Sequence, residues 1–431
     1  MPGIIATLLL ALGSVTLHSA LAESPALPEP LTLEQALAMA DRQHPAVDLA
    51  QAQLGIAQAR RMSADAQTGL RAHVDLSLRA AEPSTDHHSI NDSYARFRTE
   101  KPLYDFGRTR ALVDAADAEI ASREYGLLAT RLARRIEIQA AFYAVVLADM
   151  RYAVDNEAMA HRYVRYDRVR EAHELGGASD VELLEAENHY LEALDKRTAS
   201  ASQQRLTRQQ LALALNLPDQ LPGELQAPPV NGIDREIPES DTLFAAAITS
   251  NPQILALQRQ MASALSDVRA ARARRNPVLS ADLELAEYAR DLSSRNNVSV
   301  GLNLHIPLLQ GGETAAALAS ANAGLNAHEA ELSLALHALR QRSVELVMKL
   351  QELQVQRGTA RQRLKYRELN LDRYRALYEM EVETSLGSAL TQMTEADWQA
   401  ARVEFSIALT WAEIDALQGL PAPQQQGDTP L

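Results

Sequence analysis

The sequence predicts a mostly helical chain with a small membrane-type β component, the whole built twice in tandem. Three observations carry that reading. First, Pro102-Leu-Tyr-Asp-Phe-Gly-Arg-Thr-Arg-Ala111 and Pro307-Leu-Leu-Gln-Gly-Gly-Glu-Thr-Ala-Ala316 agree at the Pro-Leu, the second Gly, the Thr and the final Ala, 307 − 102 = 205 residues apart. Upstream, Leu37 to Pro45 lines up with Phe244 to Pro252 at 252 − 45 = 207, so one supersecondary unit recurs. Second, aromatics are only 4% of the 431 residues while Ala, Leu, Glu, Gln and Arg dominate, a composition suited to long helices packed by small side chains. Third, Val298, Val300, Leu302, Leu304 and Ile306 alternate with Ser299, Gly301, Asn303 and His305, the period of a strand with one oily and one wet face.

The elements follow in chain order. The first 22 residues lack Asp, Glu, Lys and Arg, and an apolar run from Ile4 to Leu17 leads to Ala20-Leu21-Ala22. This pattern reads as a secretory signal peptide, with an uncleaved anchor as the alternative. Each repeat, 23–216 and 241–420, then opens on short helices with X-Pro at the start of the longer one. His44 and Asn251 take the N-cap place before Pro45 and Pro252, and helical pattern runs to about Thr68 and Arg275.

One β-hairpin per repeat is expected at about 71–101 and 278–306. Val74, Leu76 and Leu78 mark the first, and Leu279, Ala281, Leu283 and Leu285 the second. The repeated Pro-Leu segment ends each hairpin's second strand, and its glycines turn the chain into a long helix. Leu128, Leu132, Ile136, Ala140, Tyr143, Leu147, Met150 and Val154 step by three and four along a stretch free of proline from Gly107 to Leu217. A helix from Arg108 to Leu175 would span about 100 Å. Breaks at Leu175-Gly-Gly-Ala-Ser179 and Glu381-Val-Glu-Thr-Ser385 read as hairpin tips at about 108–216 and 313–418, with Ala178 or Ser179 and Thr384 as caps. A Pro- and acid-rich linker spans 217–240, and 421–431 reads as a disordered tail.

Composition also excludes functions. No cysteine is present, so disulfides, thiol catalysis, thiolate metal sites and a lipidated N-terminal Cys are excluded. The formal net charge of −14 without a basic cluster argues against nucleic acid. Past the signal no run reaches the roughly 18 apolar residues of a membrane helix, so membrane entry requires a β-barrel. Catalytic, phosphate-loop and dinucleotide patterns are absent, which reads as a conduit, not an enzyme, without cofactor. His87-His88 lacks ligand partners at useful spacing and reads as loop. Asp282, Glu284, Arg96 and Arg98 read as lumen lining. Four strands per chain fall short of the roughly eight that close a barrel, so closure needs several copies.

At this point the chain resembles the TolC family of outer membrane efflux proteins. The resemblance covers about Leu31 to Leu420. It is carried by His44-Pro45 and Asn251-Pro252, the Pro-Leu-x-x-x-Gly-x-Thr turns, the tip Glu174-Leu-Gly-Gly-Ala-Ser179 followed by Leu184 and Ala186, and Leu417-Gln-Gly-Leu420. It implies a homotrimer with a 12-stranded barrel in outer-membrane lipid and a helical tunnel across the periplasm. A periplasmic adaptor and an inner-membrane transporter are the implied partners, in tripartite efflux or type I secretion, with metal export a variant of the same fold.

The resemblance also implies carboxylates at the tunnel entrance and adaptor contacts at the hairpin tips. Glu182, Glu185 and Glu383 are the entrance candidates, and Gly176, Gly177, Ala178, Ser179, Val382 and Thr384 the tip candidates. Crowded carboxylates of this kind are expected to have raised pKa values. The chain departs from the family pattern in carrying Glu381 where a tip Gly is usual and Gly387 near a position often occupied by Asp. A soluble periplasmic helical adaptor or scaffold is the competing class, and the strand alternation at 298–306 separates the two.

Overall fold

The structure is a computed structural model that describes residues 27–40, 44–82, 88–290, 295–380 and 386–420. The signal segment, His87, Glu381–Ser385 and the tail lie outside the described residues. The first repeat holds α1 (Leu33–Ala38), α2 (Pro45–Asp65), β1 (Arg71–Ser77), β2 (Ala80–Ala81), β3 (Ile90–Asn91), β4 (Tyr94–Tyr104), α3 (Arg108–Glu174) and α4 (Asp180–Ala214). The second holds α5 (Ser240–Ser250), α6 (Pro252–Ala273), β5 (Val278–Tyr288), β6 (Val298–His305), α7 (Glu313–Glu379) and α8 (Leu386–Leu417).

Duplication is visible in the lengths, since α3 and α7 each run 67 residues, about 100 Å. Both start at a glycine held at positive φ, Gly107 at 94° and Gly312 at 87°, a conformation an L side chain resists. His44 Nδ1 accepts from the Ala46 N–H at 3.1 Å, and Asn251 accepts from Gln253 and Ile254. Both predicted N-caps therefore hold, each ahead of a proline at the first helical position.

The two hairpins form a single sheet of order β1-β4-β5-β6, joined between the repeats through β4 and β5. β4 is longer than the alternation predicts, passing Pro102 through an irregularity to Tyr104. The connection from Arg79 to Asp92 also contains the small β2–β3 pair, too short to show any periodicity.

Each return helix is zipped to its partner by a column of small side chains at every seventh residue. In α4 the buried column is Ala186, Ala193, Ser200, Thr207 and Ala214; in α8 it is Ala389, Ala396, Val403 and Thr410. A strict seven-residue repeat winds helices left-handed around each other. Both return helices end alike: Asn216 and Gly419 take φ 58° and 70°. The N–H of Leu217 reaches the Ala212 carbonyl, and that of Leu420 the Asp415 carbonyl, both at 2.8 Å, closing Schellman motifs.

The core lies at mid-length, where α1 and the inter-repeat linker wrap the long helices. Leu31, Ile138, Phe142, Val145, Leu211 and Phe405 are buried together there. Burial on α3 extends beyond the single stripe read from the sequence, because α3 is packed by α2, α4, α6 and α8; Leu128 on that stripe is exposed. Among the described residues no helix is long and apolar enough to cross a membrane.

Candidate functional site: a two-faced sheet and a hairpin tip

Two regions carry functional chemistry, at opposite ends of the long helices. In the sheet, pairing places Val74, Phe97, Leu285 and Val298 on one rung and Thr99, Leu283 and Val300 on another. Val74, Leu76, Val300 and Leu302 are 61–79% exposed, so the oily face is uncovered in the single chain. Large exposed apolar surfaces mark membrane or partner contact.

The opposite face is ionic. Glu284 lies 3.7 Å from Arg96 and 3.4 Å from Arg98, Arg96 lies 3.8 Å from Asp75, and Asn303 donates to Asp282. The four lining residues expected from sequence are thus brought onto one face. Arg96 and Arg98 form ion pairs across strands with Glu284, which keep both charge signs hydrated along a surface.

At the far end, α3 stops in a Schellman motif. Gly176, at φ 78°, donates to the His173 carbonyl at 2.9 Å, and Gly177 donates to the Ala172 carbonyl at 2.7 Å. Ser179 then caps α4. Its hydroxyl accepts from the Glu182 N–H at 3.3 Å, and the Glu182 carboxylate accepts from the Ser179 N–H at 2.7 Å and the Ser179 hydroxyl at 2.9 Å. Of the two caps considered, Ser179 is the one used, in a full capping box. His173 and Asp180 close the turn at 2.7 Å.

Within the single chain the Glu182 carboxyl is held below the ordinary 4.5, chiefly by the Ser179 N–H and then by the Ser179 hydroxyl. Glu185 projects from the next turn, exposed, with His189 at 3.8 Å. Glu383, Val382 and Thr384 lie outside the described residues.

Sequence reasoning missed a seam between the repeats along α3 and α8. Tyr143 and Phe405 stack with ring centres 4.5 Å apart, the Trp398 indole donates to the Leu147 carbonyl at 3.1 Å, and Thr394 donates to Glu157 at 2.8 Å. Nearest the tip, Gly387 lies so close to His161 that a Cβ would fall 2.7 Å from Nδ1. The imidazole occupies the space that a side chain at 387 would need. These partners lie more than 200 positions apart, so no local pattern announces them. Among the described residues no three His, Asp or Glu side chains are grouped to hold a metal ion.

Residues 243–419 match the family model described as outer membrane efflux protein. That span lies within the second repeat, and the first repeat has the same order of helix, strand, long helix and return helix. The second repeat thus matches the outer membrane efflux protein family. Its fold is similar to a membrane protein from Pseudomonas aeruginosa, at TM-score 0.74 and 18% identity over 93% of both chains. The Campylobacter jejuni CmeC outer membrane channel is similar at TM-score 0.75 and 14% identity, over 91% of this chain and 87% of that one. The open state of the Neisseria gonorrhoeae MtrE outer membrane channel is similar at TM-score 0.73 and 16% identity, over 91% of each. No curated protein matches the chain by sequence.

Proposed function

We propose that this TolC-like chain forms the outer-membrane exit duct of a tripartite efflux or type I secretion system, as a homotrimer. The observation that carries the reading is the four-stranded sheet, bare and oily on one face and ion-paired on the other, feeding two helices of about 100 Å. Three copies supply twelve strands, enough to close a barrel with lipid outside and water inside. The helical hairpins then continue the tube into the periplasm.

In this reading the tip Leu175–Ser179 meets a periplasmic adaptor, and transport is driven by an inner-membrane transporter. Glu185 is the best-placed entrance carboxylate, because Glu182 is engaged in capping. Three exposed Glu185 side chains around an axis favour cations.

The test is envelope fractionation of the full chain, followed by particle mass in mild detergent and conductance in planar bilayers. A three-chain particle from the outer-membrane fraction with a cation preference that weakens in Glu185→Lys supports the duct. A soluble monomer overturns it.

A further inference from the structure

The two repeats differ in charge where strands meet helices. α6 ends on Arg269, Arg272, Arg274 and Arg275, with no acid between Asp267 and Asp282. The equivalent α2 positions, 275 − 68 = 207 residues earlier, hold Met62, Asp65, Gln67 and Thr68. The first repeat in turn carries Lys101, Arg108 and Arg110 where the second, 306 − 101 = 205 residues later, has Ile306, Glu313 and Ala315. One copy of each element forms without these cations, so the fold does not require them.

The fold gathers the two sets at one place. The Asn276 side chain, just past α6, donates to the Phe106 carbonyl at 3.0 Å, which seats the arginines beside the turn from β4 into α3. Arg274 lies 3.6 Å from Glu313, and Asp105, the acid in the turn, spends its carboxylate on the Gly107 and Thr109 N–H groups. Among the described residues Lys101, Arg108, Arg110, Arg272 and Arg275 have no ion-pair partner. Unpaired cations thus collect once per chain in a protein of net charge −14.

The same turn ends the oily face of the sheet. Pairing sets Lys101 opposite Ala281, itself opposite Leu302, so Lys101 stands on the oily face close to its helix-side end. Leu103, Tyr104 and Phe106, just beyond, are exposed. A lysine there lays its stem along apolar surface and carries its ammonium to the boundary with water, and aromatic side chains suit the same boundary.

We infer that this junction binds anionic phospholipid of the leaflet on the helix side of the sheet. Lys101, Arg272 and Arg275 hold the headgroup phosphate, which guanidinium forks match, and Leu103, Tyr104 and Phe106 lie against the acyl chains. Free phosphate would leave those apolar side chains uncovered. Each cation at such a level favours an anionic lipid about fivefold, the equivalent of about 1 kcal/mol.

The inference rests on the duct reading, which places the sheet in a membrane. The particle purified from outer membranes in mild detergent is incubated with dioleoyl phosphatidylglycerol or dioleoyl phosphatidylcholine, and the lipid that co-elutes on gel filtration is quantified. Phosphatidylglycerol should be preferred about fivefold or more. The preference should shrink when salt rises from about 0.05 to about 0.5 M and approach parity in Lys101→Gln/Arg272→Gln/Arg275→Gln. It should persist in Arg165→Gln/Arg168→Gln/Arg373→Gln, near the far ends of α3 and α7. Equal retention of the two lipids, a preference indifferent to salt, one kept by the junction variant, or one lost equally in the distal variant overturns the site, and a three-chain particle then leaves the duct standing. A soluble monomer overturns both.

Discussion

The return helices α4 and α8 occupy the same place in their repeats and carry the same column of small residues, yet their second faces differ. On α8, Thr394, Trp398 and Phe405 turn to α3 and bind it through a donated hydroxyl, a donated indole N–H and a stacked ring. Stepping back by 417 − 214 = 203, the difference between their last residues, the same places on α4 hold Leu191, Asp195 and Ser202, all exposed. The α7 residues equivalent to the α3 side of this seam include Met348, Glu352, Gln362 and Tyr366, also exposed. One position in the repeat therefore has a dry aromatic version and a polar one. The dry version is used where the partner is always attached by the chain. The other version, Leu191, Asp195 and Ser202 on α4, is left exposed in the single chain.

The strongest test of this contrast is truncation of one residue on each side. Phe405 is 5% exposed and stacked on Tyr143, so Phe405→Ala removes a buried ring and leaves a cavity. A loss of about 3–5 kcal/mol is expected, read as a lowered denaturation midpoint of the purified particle. Ser202→Ala, its counterpart on α4, should stay within about 0.5 kcal/mol. Comparable losses from the two substitutions would sink the distinction between the seams.

A second test adds atoms to the dry seam. Gly387→Ala places a Cβ 2.7 Å from the His161 ring nitrogen, so the start of α8 must move from α3 or the imidazole must leave. Overpacking of this kind costs about 1–3 kcal/mol. Its local signature should be faster proteolysis near residue 386, restored in Gly387→Ala/His161→Ala. A double variant no better than the single one would show that the imidazole is not what Gly387 accommodates.

The turn into α4 is held by backbone geometry instead. Gly176 sits at φ 78° with open space where a Cβ would go, so Gly176→Ala meets strain without a clash, about 1–2 kcal/mol. Gly177 has ordinary φ, and its Cβ would lie 3.4 Å from the Ala172 carbonyl oxygen. Gly177→Ala should therefore change stability by under about 0.5 kcal/mol. Thermal unfolding of the pair separates conformational need from mere proximity to the tip.

What was legible in the sequence divides along the same line. The strands, the 67-residue helices, the Asn251 and Ser179 caps and the turn glycines are local, and periodicity or cap chemistry marks them. The joining of two hairpins into one sheet was not legible, because the pairing of Phe97 with Leu285 depends on where distant strands meet. The column Ala186, Ala193, Ser200, Thr207 stands in the sequence, but a search for large apolar stripes passes over it. At the tip, the resemblance offered Glu182 as an entrance candidate without showing that its carboxylate is committed to the Ser179 N–H.

The smallest expected effect separates the two return helices by pH. His161, at the α8 seam, has its pKa lowered from the ordinary 6.5, chiefly by burial and then by Arg162, Arg165 and Arg168. Glu182, at the start of α4, has its carboxyl lowered from 4.5. In both cases the unfolded segment binds the proton more readily than the folded one, so stability is complete above the ordinary value and is lost as pH falls through the folded one. Amide exchange corrected for its intrinsic pH dependence should therefore lose protection at 386–395 beginning below about pH 6.5. Protection at 180–184 should persist until the pH is below about 4.5. His161→Gln should abolish the first loss and leave the second, because a neutral amide cannot acquire the charge that burial penalises. Simultaneous loss at both segments would mean that α4 and α8 open as one unit, and that the dry and polar seams share a single stability.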